Sequence, residues 1–168
     1  MKVYKSPGSE IYTPRTGDAG YDLAFNSDLF TRSSVIEVTS PFAEVCLNGD
    51  KLQFSTLAEP SYFRLLLNTG IAVEIPEGNY GKLLDRSSMA KRGFYISGGV
   101  IDKIYTGFIH VMLNINMRAD DYIEIHHGDK IAQMVIMPYT TQDLFVVESL
   151  EDLAVTERGS NGFGSTGR

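Results

Sequence analysis

The sequence predicts an all-β fold, a barrel or a sandwich, from three observations. Apolar residues alternate with polar ones in short runs, which is the period of a strand buried on one face. Turn signals rich in glycine, asparagine and aspartate separate these runs. The chain has 168 residues with 43% hydrophobic and 11% aromatic content, which is enough apolar material for the core of one domain.

The clearest alternating runs begin near the middle of the chain, and we expect a strand at each. They are Ile71 to Ile75, Phe108 to Ile115, Tyr122 to Ile125 and Leu144 to Val147. The pattern is looser from Thr31 to about Leu67, where we expect further strands and loops. Many short strands with such punctuation are typical of a barrel or a sandwich.

One short segment predicts a helix instead of a strand. From Arg86 to Gly93, two serines at the start are followed by helix-forming residues, then by basic residues and a glycine. This order indicates a two-turn helix that begins at the serines. The free N–H groups at a helix N-terminus favour phosphate, although most short capped helices bind nothing.

The composition excludes several classes of function. Fifteen Lys+Arg against 21 Asp+Glu give a formal net charge of −6, so no broad positive field is available to hold a nucleic acid. No apolar stretch reaches the length of a membrane span, and Met1 to Gly8 lacks the pattern of a signal peptide. The single cysteine, Cys46, is usual for a reducing compartment. We expect a cytoplasmic protein, in the host cytoplasm if the source is viral, with no nucleic-acid or membrane partner.

A few polar residues could carry chemistry. Asp102 and Tyr105 lie three apart in a glycine-rich bend, so a general base and a ring against a sugar could face one pocket. Gln133 is the single polar side chain in an otherwise buried run, and its partner is either backbone or a ligand. Asp22 lies beside a glycine. Taken alone, each also has a structural explanation, with Asp102 in a turn, Asp22 in a turn or on the surface, and Tyr105 in the core.

The C-terminal segment from Arg158 to Arg168 is rich in glycine and has no apolar periodicity. A tail of this composition is usually disordered. It also carries one ring, Phe163, with hydroxyls at Ser165 and Thr166. A flexible strip with a ring, a cation and several N–H groups can close over a nucleotide.

Five segments, in order, resemble the five motifs of trimeric dUTPases, of the dUTPase and dCTP deaminase superfamily. They are Ala19 to Leu23, Arg86 to Ala90, Gly99 to Gly107, Gly128 to Val135 and Arg158 to Gly167. The resemblance implies a dUTP diphosphatase that forms dUMP and pyrophosphate with Mg²⁺. It also implies a β-barrel or jelly-roll subunit, the dUTPase-like β-clip, with one short helix after the second motif. Three such subunits would form a homotrimer with active sites at the interfaces.

The same resemblance implies a role for each motif residue. Asp102 would activate the water that attacks the α-phosphorus, with Gln133 and Arg86 as its catalytic partners. Tyr105 would pack on the deoxyribose, and Asp22 would hold Mg²⁺ through water while the triphosphate supplies most of the metal ligands. The other substrate-binding residues would be Ser87, Ser88, Gly99, Val100, Ile101, Arg158, Phe163, Gly164, Ser165 and Thr166.

The resemblance divides the chain into a barrel domain at residues 1–157, with an insertion at roughly 31–60, and a lid at residues 158–168. Two alternatives remain. Ser87-Ser88 stands where dUTPases usually have Ser-Gly and is similar to dCTP deaminases or a bifunctional relative. Against this, Phe108 to Asn114 contains no glutamate to serve as the deaminase acid–base group. The insertion fits a viral dUTPase with an added regulatory role in protein binding.

Overall fold

The structure is a computed structural model that describes residues 1–156 and residue 159, and it confirms the all-β prediction. The described residues contain one α-helix, α1 (Ser87–Lys91), and short 3-10 helices at Ser27–Leu29, Arg32–Ser34 and Leu150–Asp152. The strands are β1 (Lys2–Lys5), β2 (Ile11–Tyr12), β3 (Tyr21–Ala24), β4 (Val35–Val38), β5 (Ala43–Asn48), β6 (Lys51–Thr56), β7 (Ser61–Asn68), β8 (Ile71–Glu74), β9 (Asn79–Leu84), β10 (Phe94–Ser97), β11 (Val100–Ile101), β12 (His110–Met117), β13 (Tyr122–His126) and β14 (Lys130–Pro138).

These strands form four antiparallel sheets. The largest has the order β11-β9-β14-β3-β2, and a second has the order β10-β12-β7-β4. A three-stranded sheet has the order β13-β6-β5, and β1 pairs with β8 in a two-stranded sheet. Among the described residues these sheets remain separate in their hydrogen bonding and do not close into one barrel.

The core follows from the strict alternation of the long strands. In β7, Phe63 and Leu65 are fully buried while Tyr62 and Arg64 on the opposite face are only partly buried. The register places Leu65 directly opposite Leu113 of β12, which is also fully buried. Because side chains of a strand alternate between faces, each apolar row faces the same interior.

The segment predicted as an insertion, roughly residues 31–60, is part of this core. It contains β4, β5 and β6, and Leu52 and Phe54 of β6 are 0% exposed. Phe54 packs edge to face against Phe63 and Phe94, which belong to β7 and β10. The three-stranded sheet is therefore joined to the other sheets through buried aromatic rings.

Most of the predicted elements are present, with shifted ends. Strands β8, β12 and β13 confirm three of the four predicted runs, and the region from Thr31 to Leu67 contains the expected additional strands. The predicted helix is shorter than two turns, because it ends at Lys91. Its N-cap is Arg86, which makes no side-chain capping bond, so the serines do not cap it as predicted. No helix in residues 1–156 is long and apolar enough to span a membrane.

The prediction of a strand from Leu144 to Val147 is wrong. The segment has no regular structure, and Leu144, Phe145 and Val146 are 94%, 88% and 95% exposed. Alternating apolar residues form a strand only when a neighbouring strand accepts their backbone hydrogen bonds. Within the described residues of a single chain, no strand pairs with this segment.

Candidate active site

The register of the largest sheet brings three predicted site residues together. Asp22 of β3 lies opposite Gln133 of β14, and Gln133 lies opposite Leu84 at the end of β9. Arg86 follows β9 by two residues and points back toward Asp22. Residues from three distant parts of the sequence therefore converge at one edge of the sheet.

Two cations bind the carboxylate of Asp22. Its Oδ1 accepts a 2.7 Å hydrogen bond from Arg86 Nε, and its Oδ2 accepts one of 2.8 Å from Lys130 Nζ. Lys130 Nζ also lies 4.4 Å from the ring centroid of Tyr12, within the range of a cation–π contact. Arg86 Nη1 is shared between Ser88 Oγ and the carbonyl of Lys130, each at 3.2 Å. The arrangement is a pair of cations held on one carboxylate.

Two polar cavities, of about 320 and 360 Å³, lie beside this pair of cations. Their shared lining consists of Arg15, Asp18, Asp22, Arg86 and Gln133, and the larger cavity adds Asp85 and Ser87. A hydrogen bond from the Arg15 guanidinium lowers the pKa of Asp18 below its ordinary value. We call this group the polar cluster; its mixture of arginine, lysine, hydroxyl and amide donors suits phosphate oxygens.

The polar cluster also fits a metal ion held through water. Both oxygens of Asp22 are already bonded to cations, which leaves no free pair of oxygens to chelate a bare ion. Carboxylates that accept from water molecules of a hydrated Mg²⁺ need no such vacancy, and this ion keeps several of its waters. No group of three His, Cys, Asp or Glu side chains placed to hold a metal occurs in residues 1–156.

The other predicted residues form a separate pocket of about 240 Å³ at the end of β11. Asp102 and Tyr105 both line it, as the spacing predicted, together with Val100 and Ile101. We call it the loop pocket, because the loop from Asp102 to Gly107 forms one wall. Gly99 fits beside β9 only as glycine, since a Cβ there would lie 2.6 Å from the Leu83 carbonyl oxygen.

Hydrogen bonds fix the ring of Tyr105 in the loop pocket. Its hydroxyl donates to the carbonyl of Phe108 at 2.7 Å, and its N–H donates to the carbonyl of Asp102 at 3.0 Å. His110 Nδ1 lies 2.9 Å from the same Phe108 carbonyl and therefore carries the hydrogen. Gly107 leaves room for the ring, because a Cβ there would lie 2.7 Å from the hydroxyl. These contacts fix the Tyr105 ring in the pocket that Asp102 also lines.

The structure divides the predicted site residues into two groups. Those of the polar cluster and those of the loop pocket line different cavities that share no residue. Several lining residues were not identified as site residues from the sequence, among them the basic side chains of Arg15, Lys130 and His110. Lys130 lies within the fourth motif, Gly128 to Val135, and that motif was the available signal. The predicted residues Arg158, Phe163, Gly164, Ser165 and Thr166 lie outside the described part of the chain.

The fold and these two clusters define a class: an all-β protein with a cation-rich polar cluster and a separate pocket that holds the Tyr105 ring. Comparisons with known proteins specify the class further. The sequence profile of the dUTPase family matches residues 52–167. A deoxyuridine 5′-triphosphate nucleotidohydrolase of Paramecium bursaria Chlorella virus 1 is 38% identical over 144 residues, covering 84% of this chain and 99% of the relative. This chain belongs to the dUTPase family.

Further relatives agree with this placement. The protein of the same name from Corynebacterium jeikeium is 42% identical over 107 residues, covering 62% of this chain and 68% of the relative. Among solved structures, the dUTPase of Staphylococcus bacteriophage 80alpha with bound dUpNHpp has a TM-score of 0.67 and 25% identity. That alignment covers 99% of this chain and 98% of the phage protein. The likeness therefore extends over the whole fold.

Proposed function

We propose that this protein hydrolyses dUTP to dUMP and pyrophosphate, with Mg²⁺ as cofactor. The observation that carries the proposal is that Asp102 and an orientated Tyr105 line one pocket. A separate cluster on the same chain carries the donors suited to phosphate. The viral relative, which this chain matches over 99% of that protein, is named for the same reaction.

In the proposed mechanism Asp102 takes a proton from the attacking water. The carboxylate lines an open pocket, so a water molecule can lie between it and the innermost phosphorus of a bound nucleotide. Attack on that phosphorus forms the new P–O bond of dUMP and breaks the bond to the leaving pyrophosphate. Tyr105, fixed through the Phe108 carbonyl, packs on the sugar and leaves no room for a 2′-hydroxyl.

The polar cluster holds the phosphates in this mechanism. Arg86, Ser87 and Ser88 supply donors to phosphate oxygens, and Gln133 orients the phosphate or the water from the wall of the cavity. Asp22 would hold Mg²⁺ through water, and the ion would supply positive charge against the charge that develops on the phosphate oxygens.

Assembly is part of the proposal, because one chain keeps the two clusters apart. We propose a homotrimer of jelly-roll or barrel subunits in which the loop pocket of one subunit faces the polar cluster of another. The exposed Leu144, Phe145 and Val146 support it, since a run of bare apolar side chains is stabilised when a second copy covers it. Residues 158–168 would then close over the nucleotide as a lid. A solution mass of one chain, measured by light scattering, would contradict this assembly.

The central test is Asp102→Asn, assayed by pyrophosphate and ammonia release from each deoxynucleoside triphosphate and from UTP. Loss of a general base should lower kcat for dUTP by roughly 10²–10⁴-fold. Binding of the imido analogue of dUTP should change little, because the amide keeps the shape of the carboxyl group. Asp50→Asn, an exposed turn residue, is the matched control and should keep full activity.

The outcomes separate the candidate functions. Pyrophosphate from dUTP, without ammonia from dCTP, supports the hydrolase and counts against the deaminase. Ammonia from dCTP would instead point to the deaminase or a bifunctional enzyme. Unchanged turnover by Asp102→Asn would remove Asp102 as the base.

A further inference from the structure

Arg15 lies in the loop between β2 and β3 and has no role in the mechanism proposed above. Its side chain lines both cavities of the polar cluster, together with Asp22, Arg86 and Gln133. Its backbone N–H and its Nε both reach Asp18 Oδ2 at 3.1 Å, so the loop is folded around this one carboxylate. Arg15 is therefore a third cation at the place where phosphate is proposed to bind.

Arg15 differs from the other two cations in how firmly it is held. Arg86 and Lys130 are only 27% and 36% exposed, and both are bonded to Asp22. The Arg15 side chain is 91% exposed, and in the described residues only its Nε makes a side-chain hydrogen bond. Both terminal nitrogens of its guanidinium can therefore donate to an arriving ligand.

Charge gives a reason for this cation to move. The cluster sets three cations, Arg15, Arg86 and Lys130, against the carboxylates Asp18, Asp22 and Asp85. The unliganded cluster is thus nearly neutral, although a triphosphate brings several negative charges. An exposed ion pair such as Arg15 with Asp18 contributes little stability, so exchanging its carboxylate for a phosphate costs little. Arginine gains from the exchange, because its planar fork matches phosphate oxygens in pairs.

We propose that Arg15 is a substrate-binding residue that leaves Asp18 and donates its guanidinium N–H groups to the terminal phosphates of the nucleotide. This inference rests on the proposed function and deepens it, because it assigns part of the triphosphate recognition to the loop before β3. Asp18 acts as the resting partner that keeps the guanidinium beside the cavity. A monophosphate, which lacks the terminal groups, gains nothing from Arg15.

The test compares the affinities of dUMP and of the α,β-imido analogue of dUTP, with Mg²⁺ present, by calorimetry on the full chain. Arg15→Ala should weaken binding of the analogue about tenfold, which is the low end of what one charge-assisted hydrogen bond contributes. It should leave the affinity for dUMP unchanged. Arg32→Ala is the matched control, since Arg32 is an exposed arginine on a 3-10 helix away from the cluster. It should leave both affinities as in the wild type.

A second variant tests the exchange itself. Asp18→Asn removes the competing carboxylate and should tighten binding of the analogue. Most of that gain should disappear when Arg15→Ala is also present, because the two residues act through one ion pair. A gain of the same size in both backgrounds would show that Asp18 acts only through its charge, and would overturn the exchange.

The outcomes also distinguish this inference from the function on which it rests. If the wild type binds the analogue and Arg15→Ala binds it equally well, the inference fails and the proposed function stands. If Arg15→Ala weakens dUMP as much as the analogue, Arg15 acts on the loop and not on the terminal phosphates. If the wild type binds neither nucleotide, the proposed function itself fails.

Discussion

Replacing Phe54 by leucine tests whether the segment at roughly residues 31–60 is an appendage or part of the core. Phe54 is 0% exposed. Its ring centroid lies 5.5 Å from that of Phe63, with an angle of 90° between the ring planes, and 5.7 Å from that of Phe94, with an angle of 69°. Each edge-to-face pair contributes about 0.5–1.5 kcal/mol beyond area burial. The Phe54→Leu variant keeps an apolar side chain but loses both pairs, so it should lower the free energy of unfolding by about 1–3 kcal/mol.

Urea unfolding followed by far-ultraviolet circular dichroism measures this loss. All variants must be compared at one chain concentration, because assembly would add to the apparent stability. Phe42→Leu is the matched control: Phe42 lies just before β5, is 58% exposed, and should change stability by no more than about 0.5 kcal/mol. If Phe54→Leu and Phe42→Leu lower the free energy of unfolding equally little, the Phe54 ring of β6 does not connect the three-stranded sheet to the core, and the reasoning fails.

Two further predictions concern single residues of the same region. Ala58 has a φ of +68°, in a tight turn where the Glu59 N–H donates to the Leu57 carbonyl, so Ala58→Gly should stabilise the protein by about 1 kcal/mol. A melting temperature that falls in that variant would contradict the strain. Hydrogen bonds from Gln53 and then Tyr122 lower the pKa of Glu124 to about 2, from 4.5. This carboxylate therefore adds stability above pH 4.5 that is lost toward pH 2. Glu124→Gln should reduce the slope of the free energy of unfolding against pH between about pH 2 and 4.5. An unchanged slope would refute this role of Glu124.

The strands were predictable where one strand face packs on the core. The sequences of β12 and β13 alternate between apolar and polar residues, because one face of each strand packs on the interior. The run from Leu144 to Val147 shows the same pattern and yet forms no strand, since a pattern cannot say whether a partner strand is present. The helix begins at Ser87, as predicted, but its N-cap is Arg86, whose side chain bonds to Asp22, and the helix has no side-chain capping bond.

The candidate site was predictable as residue types but not as a network. The resemblance identified Asp22, Arg86 and Gln133, and the sheet register brings them together. It did not identify Lys130 as the second cation on Asp22, because those residues are 108 positions apart and only the pairing of β3 with β14 joins them. Ionic networks across a sheet leave no periodic signal in the sequence.

If the proposed trimer forms, it explains both the separation of the two clusters and the exposure of Leu144, Phe145 and Val146. A carboxylate in the loop pocket cannot direct water at a phosphate held in a cavity that shares no lining with it. Likewise, no apolar surface among the described residues of the same chain covers the exposed Leu144 and Phe145. Contact between subunits would satisfy both needs at once, because the same interface that buries apolar side chains can bring one subunit's base to another's phosphate donors. Catalysis and stability should then depend together on chain concentration, and dilution that leaves folded single chains should abolish turnover.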